Sequence, residues 1–310
     1  MNHLIEVLRT VLPVALMLLI GGVCRSRKLI TRGGIDALKH VAVNIALPAV
    51  LLKAFAATRY TAMDIFVPLA MFLVCLAAWA LGRLGARLLK LPSRFVPFLT
   101  TGFEAGMLGY ALFNMLYGAD RAAEFARIDL GQVLFVFTLY KLLLGLEGTK
   151  RPSARQLVRE MALSPIIIAI FAGVVIGATG LYRAMEPSGI SGIFDACADF
   201  VAAPTSAIIL LAVGYDLVPG DIPWAETCKV VGLRLAIMLP LRLALGALLG
   251  LLWPDSGLGA AMNVMVILPP PFVLPVFAND ANQRVYIASA LSASTLVAIA
   301  GFAVLAVLNA

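Results

Sequence analysis

A chain of 310 residues that is 62% hydrophobic and only 13% charged, with a mean hydropathy of +0.98, lies outside the range of soluble globules, where about 45–50% apolar and about 25% charged residues are usual. It reads as an all-α polytopic membrane protein. The net charge of +7 is carried in short tracts between apolar stretches, the pattern of cytoplasmic loops, so the implied partner is a lipid bilayer and not nucleic acid.

At about 20 residues per crossing, ten spans are expected: 4 to 24, 35 to 56, 64 to 89, 95 to 117, 128 to 147, 162 to 181, 196 to 217, 226 to 252, 258 to 279 and 285 to 308. The first is followed, not preceded, by Arg25, Arg27, Lys28 and Arg32, which argues for a retained span and against a secretory signal. The odd-numbered loops hold most of the remaining positive charge, including Arg87, Lys90, Arg94, Lys150, Arg151, Arg155, Arg159, Lys229 and Arg284; the even-numbered loops offer Arg59, Arg121, Arg127 and Arg183. That bias predicts that both termini lie outside the cytoplasm. Cys24, Cys75, Cys197 and Cys228 have no CxxC spacing and are expected to be buried thiols, with neither disulfides nor a zinc site.

The polar stretch 149–160 divides the chain into a first half, 1–148, and a second half, 161–310, of five spans each. An odd number of spans per half forces opposite orientations, so the halves are expected to be inverted repeats. Internal likeness supports the division. Pro13 and Gly21 in LPVALMLLIGGV match Pro165 and Gly173 in SPIIIAIFAGVV, and NIALPAVLL around Pro48 resembles AAPTSAIILL around Pro204.

Two spans carry breaks. The ninth contains Pro269, Pro270, Pro271 and Pro275 near its middle, and successive prolines cannot stay inside an ordinary helix. Its partner, the fourth, PFLTTGFEAGMLGYALFNMLYG, is interrupted by Gly102, Gly106 and Gly109, which let the backbone leave helical geometry. Gly173 with Gly177 and Gly246 with Gly250 repeat the GxxxG spacing, where close helix packing is explanation enough. Broken backbone at membrane depth is tolerated only in protein or beside a wet cavity, so the two breaks are expected to cross and form a binding site.

The residues that carry this reading also resemble a known family. VAVNIALPAVLLKAFA, LTTGFEAGMLGYAL, LSPIIIAIFAGVVIG, AAPTSAIILLAVGYDL and VYIASALSASTLVAIAGF, in that order, are similar to stretches of the auxin efflux carrier family, whose bacterial members include carriers for malonate and malate. The resemblance implies the fold of bile acid sodium symporters. In that fold a scaffold of spans 1, 2, 6 and 7 stands beside a core of spans 3, 4, 5, 8, 9 and 10, which moves like an elevator with solute held where spans 4 and 9 cross. Thr100, Thr101, Gly102, Phe103 and Glu104 stand where the family usually has an Asn-Gly-type crossing, and the three prolines are more than it usually has; these departures bear on substrate and coupling ion.

Charges inside a bilayer are costly and call for a reason. Glu104 lies near mid-depth, where loss of hydration favours a neutral carboxyl and so proton uptake and release; the plainer reading is an ion-pair partner for Arg242, which could instead hold an anion. Lys53 and Lys141 lie close enough to span ends to snorkel, although Lys53 could also face the core. Asn44 and Asn263 are helix-bonding residues or ligands. Asp195 and Asp199 share a helix face and are expected to meet solvent, Asp216 and Arg234 are expected at the interface, and Gln132 and Tyr140 stay open. The expected site is Gly102, Glu104, Gly106, Asn263, Pro269, Pro270, Pro271, Asn44, Lys53 and Arg242.

The function expected from these residues is secondary transport of a small organic anion, a mono- or dicarboxylate, by alternating access. Half-helix N-termini favour negative charge, and no GxxxxGK[ST] nucleotide loop is present, so the energy would come from a proton or sodium gradient, with no further cofactor and with a homodimer through the scaffold plausible on mechanical grounds. A sensor that keeps the carrier fold is the alternative. A membrane-embedded enzyme is less favoured, because the spans hold no HExxH, GxSxG or DDxxD.

Overall fold

Apolar sequence of this length folds almost entirely into helices, because a backbone surrounded by hydrocarbon must satisfy its own amides and carbonyls. The computed structural model describes residues 2–58, 60–91, 93–147, 153, 155, 159, 162–216, 224–254, 256–272, 274 and 281–309, and among these every regular element is helical. Most of the linker 149–160, with Lys150 and Arg151, lies outside the described residues, as do Arg59 and Pro275.

The first helix, α1, runs Asn2–Ser26. It shows an outward stripe of Leu8, Leu12, Leu16, Leu19 and Val23, spaced to lie on one face. Helix α2, Arg32–Ala56, starts at Thr31, whose side chain accepts the Gly34 amide at 3.1 Å as an N-cap does. It contains a π turn at Ala42–Ala46, just ahead of Pro48, which has no amide to donate to the turn before it. Helix α3 is Met63–Leu88. The short α4, Val96–Leu99, is separated by an irregular stretch from a π turn at Ala105–Gly109 and from α5, Tyr110–Tyr117.

Helix α6 is Ala122–Gly145. It begins more than a turn before the expected start at 128, since Arg127 on its flank pairs with Asp64 of α3 at 2.7 Å and so is held against protein instead of in a loop. Helix α7, Pro165–Ala178, opens on a proline at its first position, where the missing amide costs nothing. It bends by 69° into Leu181–Ser188 at Gly180. Helices α8, Ile190–Asp216, α9, Trp224–Leu252, α10, Gly259–Ile267, and α11, Ala281–Asn309, complete the chain. Six described helices are long and apolar enough to cross a membrane, or seven if the bent pair counts as one span.

The helices sort into two groups. In one, α1 packs on α8, α7 on α2, and α2 on α8; in the other, α3 packs on α4, α6 and α9, and α9 on α10 and α11. Main chain meets main chain where glycine allows it: a Cβ on Gly21 would stand 2.1 Å from the Leu211 carbonyl oxygen, and one on Gly173 would stand 2.7 Å from the Phe55 Cβ and 2.8 Å from the Leu52 carbonyl oxygen. Gly177 is equally tight against α2, whereas a Cβ on Gly250 would meet open space, so close packing accounts for the first GxxxG pair and not for the second. Cys24 and Cys75 are buried, but Cys197 and Cys228 are exposed, a correction to the expectation for all four. Both sit on outward faces of α8 and α9, where a thiol behaves as a small apolar group.

Candidate functional site

Both interrupted segments leave helical geometry, and they touch through their main chains. At the first break Gly102 takes φ +66°, a conformation that an L side chain resists, and a Cβ there would also stand 2.9 Å from Pro271 Cγ. At the second, α10 ends as Leu268 turns extended, at φ −64° and ψ 147°, the conformation that a following proline favours. The Glu104 amide then donates to the Pro269 carbonyl at 2.9 Å, and the Phe272 amide donates to Glu104 Oε2 at 2.6 Å. Glu104 thus grips the proline break with both its main chain and its carboxylate.

Arg234, on α9, ties the two breaks from the other side. Its Nη2 donates to the Gly102 carbonyl at 2.7 Å and to the Leu268 carbonyl at 2.9 Å, and its Nη1 donates to the Leu99 carbonyl at 3.2 Å. The guanidinium lies 5.2 Å from the Phe103 ring centre, within reach of the ring's negative face, and the residue is 3% exposed. The expectation of an interfacial arginine is therefore corrected. Position along the helix allowed snorkelling, but the residue faces inward, toward carbonyls that no helix satisfies.

Side chains add further bonds around the glycine break. Thr100 donates to the Pro97 carbonyl at 2.9 Å and Thr101 to that of Cys75 at 2.5 Å. Tyr140 donates to the Phe98 carbonyl at 3.2 Å. Gln132 accepts the Phe103 amide at 3.3 Å and donates to Asp129 at 2.8 Å, while Tyr110 donates to the other oxygen of Asp129 at 3.0 Å. Gln132 and Tyr140, left open by sequence, are both buried parts of this network.

A cavity of about 720 Å³ lies between the two helix groups, walled on one side by Leu47 and Leu51 of α2 and on the other by Glu104, Gly106 and Pro271. Its charged lining is balanced: Arg32, Lys39 and Lys141 against Glu104, Asp129 and Asp216. Lys141 lines this cavity, with its ammonium 4.5 Å from the Phe137 ring centre. Asp216 pairs with both Arg32 and Lys39, which makes it a member of the cavity wall as well as a residue near a helix end.

Of the residues singled out by sequence, Gly102, Glu104, Gly106 and Pro269 to Pro271 are brought together at the crossing. Asn263 and Arg242 are bonded to each other, with Asn263 Oδ1 accepting from Nε at 3.0 Å and Nη2 at 2.5 Å; Arg242 also lines a smaller pocket with Phe103, Met262 and Val266. Arg242 is thus taken up by an amide and not by the Glu104 carboxylate. Asn44 donates to the His40 carbonyl of its own helix at 3.0 Å. Lys53 pairs with Asp199 at 2.7 Å, and Tyr182 donates to Asp195 at 2.7 Å, so neither aspartate faces solvent alone. Neither Asn44 nor Lys53 lines the cavity. The sequence reading did not place Arg234 or Asp129 at the site; the signal for Arg234 was a charge inside an apolar run, and Asp129 stood at the edge of its expected span.

The described residues therefore form an all-helical, multi-pass membrane protein with a largely apolar cavity, its charged side chains balanced in sign, at a broken-helix crossing. No protein-family model matches the chain, and no curated protein matches it.

Proposed function

We propose that this protein is a secondary active transporter of a small organic anion, a mono- or dicarboxylate, of the auxin efflux carrier type. The observation that carries the reading is the main-chain bond from Glu104 to Pro269 at the wall of the 720 Å³ cavity. Discontinuous helices meeting at a solute-sized cavity are how gradient-driven carriers expose amides and carbonyls to a substrate. The balanced lining gives a physical basis for coupling. A bound carboxylate adds one negative charge, and protonation of Glu104 or Asp129 restores neutrality inside the membrane, where unbalanced charge is costly.

Ten spans follow if α4 with α5, and α10 with the segment after it, each count as one broken span and α1 counts as a full one. The packing supports inverted repeats: α1 lies on α8 as α7 lies on α2. The offset that relates Pro13 to Pro165 also relates Gly21 to Gly173, and the offset that relates Pro48 to Pro204 relates Phe55 to Leu211. Gly21 lies against Leu211 and Gly173 against Phe55. Under this reading α1, α2, α7 and α8 are the fixed scaffold, and the rest is the moving body. The protein sits in the inner membrane with both termini outside, and scaffolds pair into a dimer.

Uptake of radiolabelled small carboxylates into proteoliposomes under imposed pH or sodium gradients tests the proposal. Accumulation of at least one carboxylate under one gradient, and loss of the response to pH in Glu104→Gln, are expected. No accumulation of any carboxylate under either gradient would overturn it.

A further inference from the structure

We propose that the Arg234 guanidinium is a built-in cation, seated in the main-chain carbonyl cage that crossed, unwound helices would otherwise offer to a monovalent coupling ion, and that transport therefore needs no sodium. The inference deepens the carrier reading and takes its meaning from it. Unwound carbonyls at such crossings are natural ligands for a coupling cation. Here the free carbonyls of Leu99, Gly102 and Leu268 all converge on one side chain, and that side chain is nearly inaccessible. Three carbonyl dipoles and the face of Phe103 stand in for the carboxylate that a buried arginine usually requires.

The chemistry of the second break explains why a permanent cation suits this cage. Pro269, Pro270 and Pro271 carry carbonyls but no amide hydrogens, so the break has a surplus of acceptors. An arginine supplies a planar fork of five donors that stays charged at every physiological pH. Sodium would supply charge alone and would exchange with solvent at each cycle. With Arg234 in place the cage is filled in every state of the carrier, and the remaining site for a coupling ion is the carboxylate side of the crossing, at Glu104 and Asp129.

Three proteins test this, purified in detergent and reconstituted in liposomes: the wild type, Arg234→Ala, which empties the cage, and Arg234→Met, which fills the space without charge. Replacing sodium by choline should leave the wild type's melting temperature and uptake unchanged. Arg234→Ala should melt several degrees lower, with uptake reduced by about tenfold or more, as when buried acceptors lose their donors. Millimolar guanidinium should restore both, sodium more weakly, and choline not at all; Arg234→Met should respond to none of them. Sodium-dependent melting or uptake in the wild type overturns the proposal, as does equal rescue of the Met and Ala variants or wild-type stability in Arg234→Ala. If Arg234→Ala cannot be purified, Arg234→Lys, a point charge that reaches fewer carbonyls, should gain stability in guanidinium, and its indifference overturns the proposal. Melting needs no substrate, so failure there leaves the transport reading standing, whereas absence of any wild-type uptake removes the transport reading and leaves the melting result intact.

Discussion

The two breaks solve the same problem with opposite chemistry. At the glycine break every residue keeps its amide, so donors and acceptors are both released, and both find side chains: Phe103 donates to Gln132, while the carbonyls of Phe98 and Gly102 take Tyr140 and Arg234. At the proline break three successive amides are missing, so the segment releases acceptors almost alone. The Leu268 and Pro269 carbonyls take Arg234 and the Glu104 amide. The first amide beyond them, that of Phe272, goes to Glu104, and the Leu274 amide donates to the Pro271 carbonyl at 3.3 Å. The glycine break can therefore act as donor and partner to the proline break, and two proline breaks could not satisfy each other.

This comparison fails most visibly if the shared donor is removed without effect. Arg234→Ala should cost about 4 kcal/mol, because it strands carbonyls on both segments at once; thermal unfolding in detergent reads the loss. Gly102→Ala should come next at about 2 kcal/mol, since φ is positive there and Pro271 blocks the added carbon. A smaller effect would mean that the glycine break is less constrained than its geometry implies.

Glu104 separates stability from function. Glu104→Ala leaves the Phe272 amide without its acceptor and should cost about 1.5 kcal/mol. Glu104→Gln keeps an acceptor oxygen and should change stability by under about 0.5 kcal/mol, while making uptake insensitive to an imposed pH gradient. The smallest effect belongs to a residue outside the crossing. Lys53→Ala breaks an ion pair whose aspartate side chain is 61% exposed and should shift stability by under about 0.5 kcal/mol with uptake unaltered.

The breaks themselves were legible in the sequence. Proline and glycine act through backbone chemistry, which needs no knowledge of neighbours, and Gly102, Glu104 and Pro269 to Pro271 were placed at the crossing on that basis. Arg234 was not legible as a clamp. Its place in an apolar run fixes its depth along the helix axis but not the direction it faces, and a long flexible cation can serve the interface or the interior equally. Asp129 was hidden by a boundary. With span 5 assumed to start at 128 it lay at the rim, whereas α6 starts at Ala122 and carries it inside. Lys53 and Asn44 were drawn toward the site by type alone; one is paired across α2 and α8, and the other is spent on its own helix.

The stitch between residues 104 and 269 has a mechanical consequence. Because it joins the two arms of the crossing through their backbones, neither arm can slide past the other without breaking hydrogen bonds that hydrocarbon cannot replace. In the carrier proposed above, a passenger lodged against it would not be handed from one arm to the other; seat and passenger would shift together, along a slip plane through the side-chain contacts of the opposite wall of the chamber.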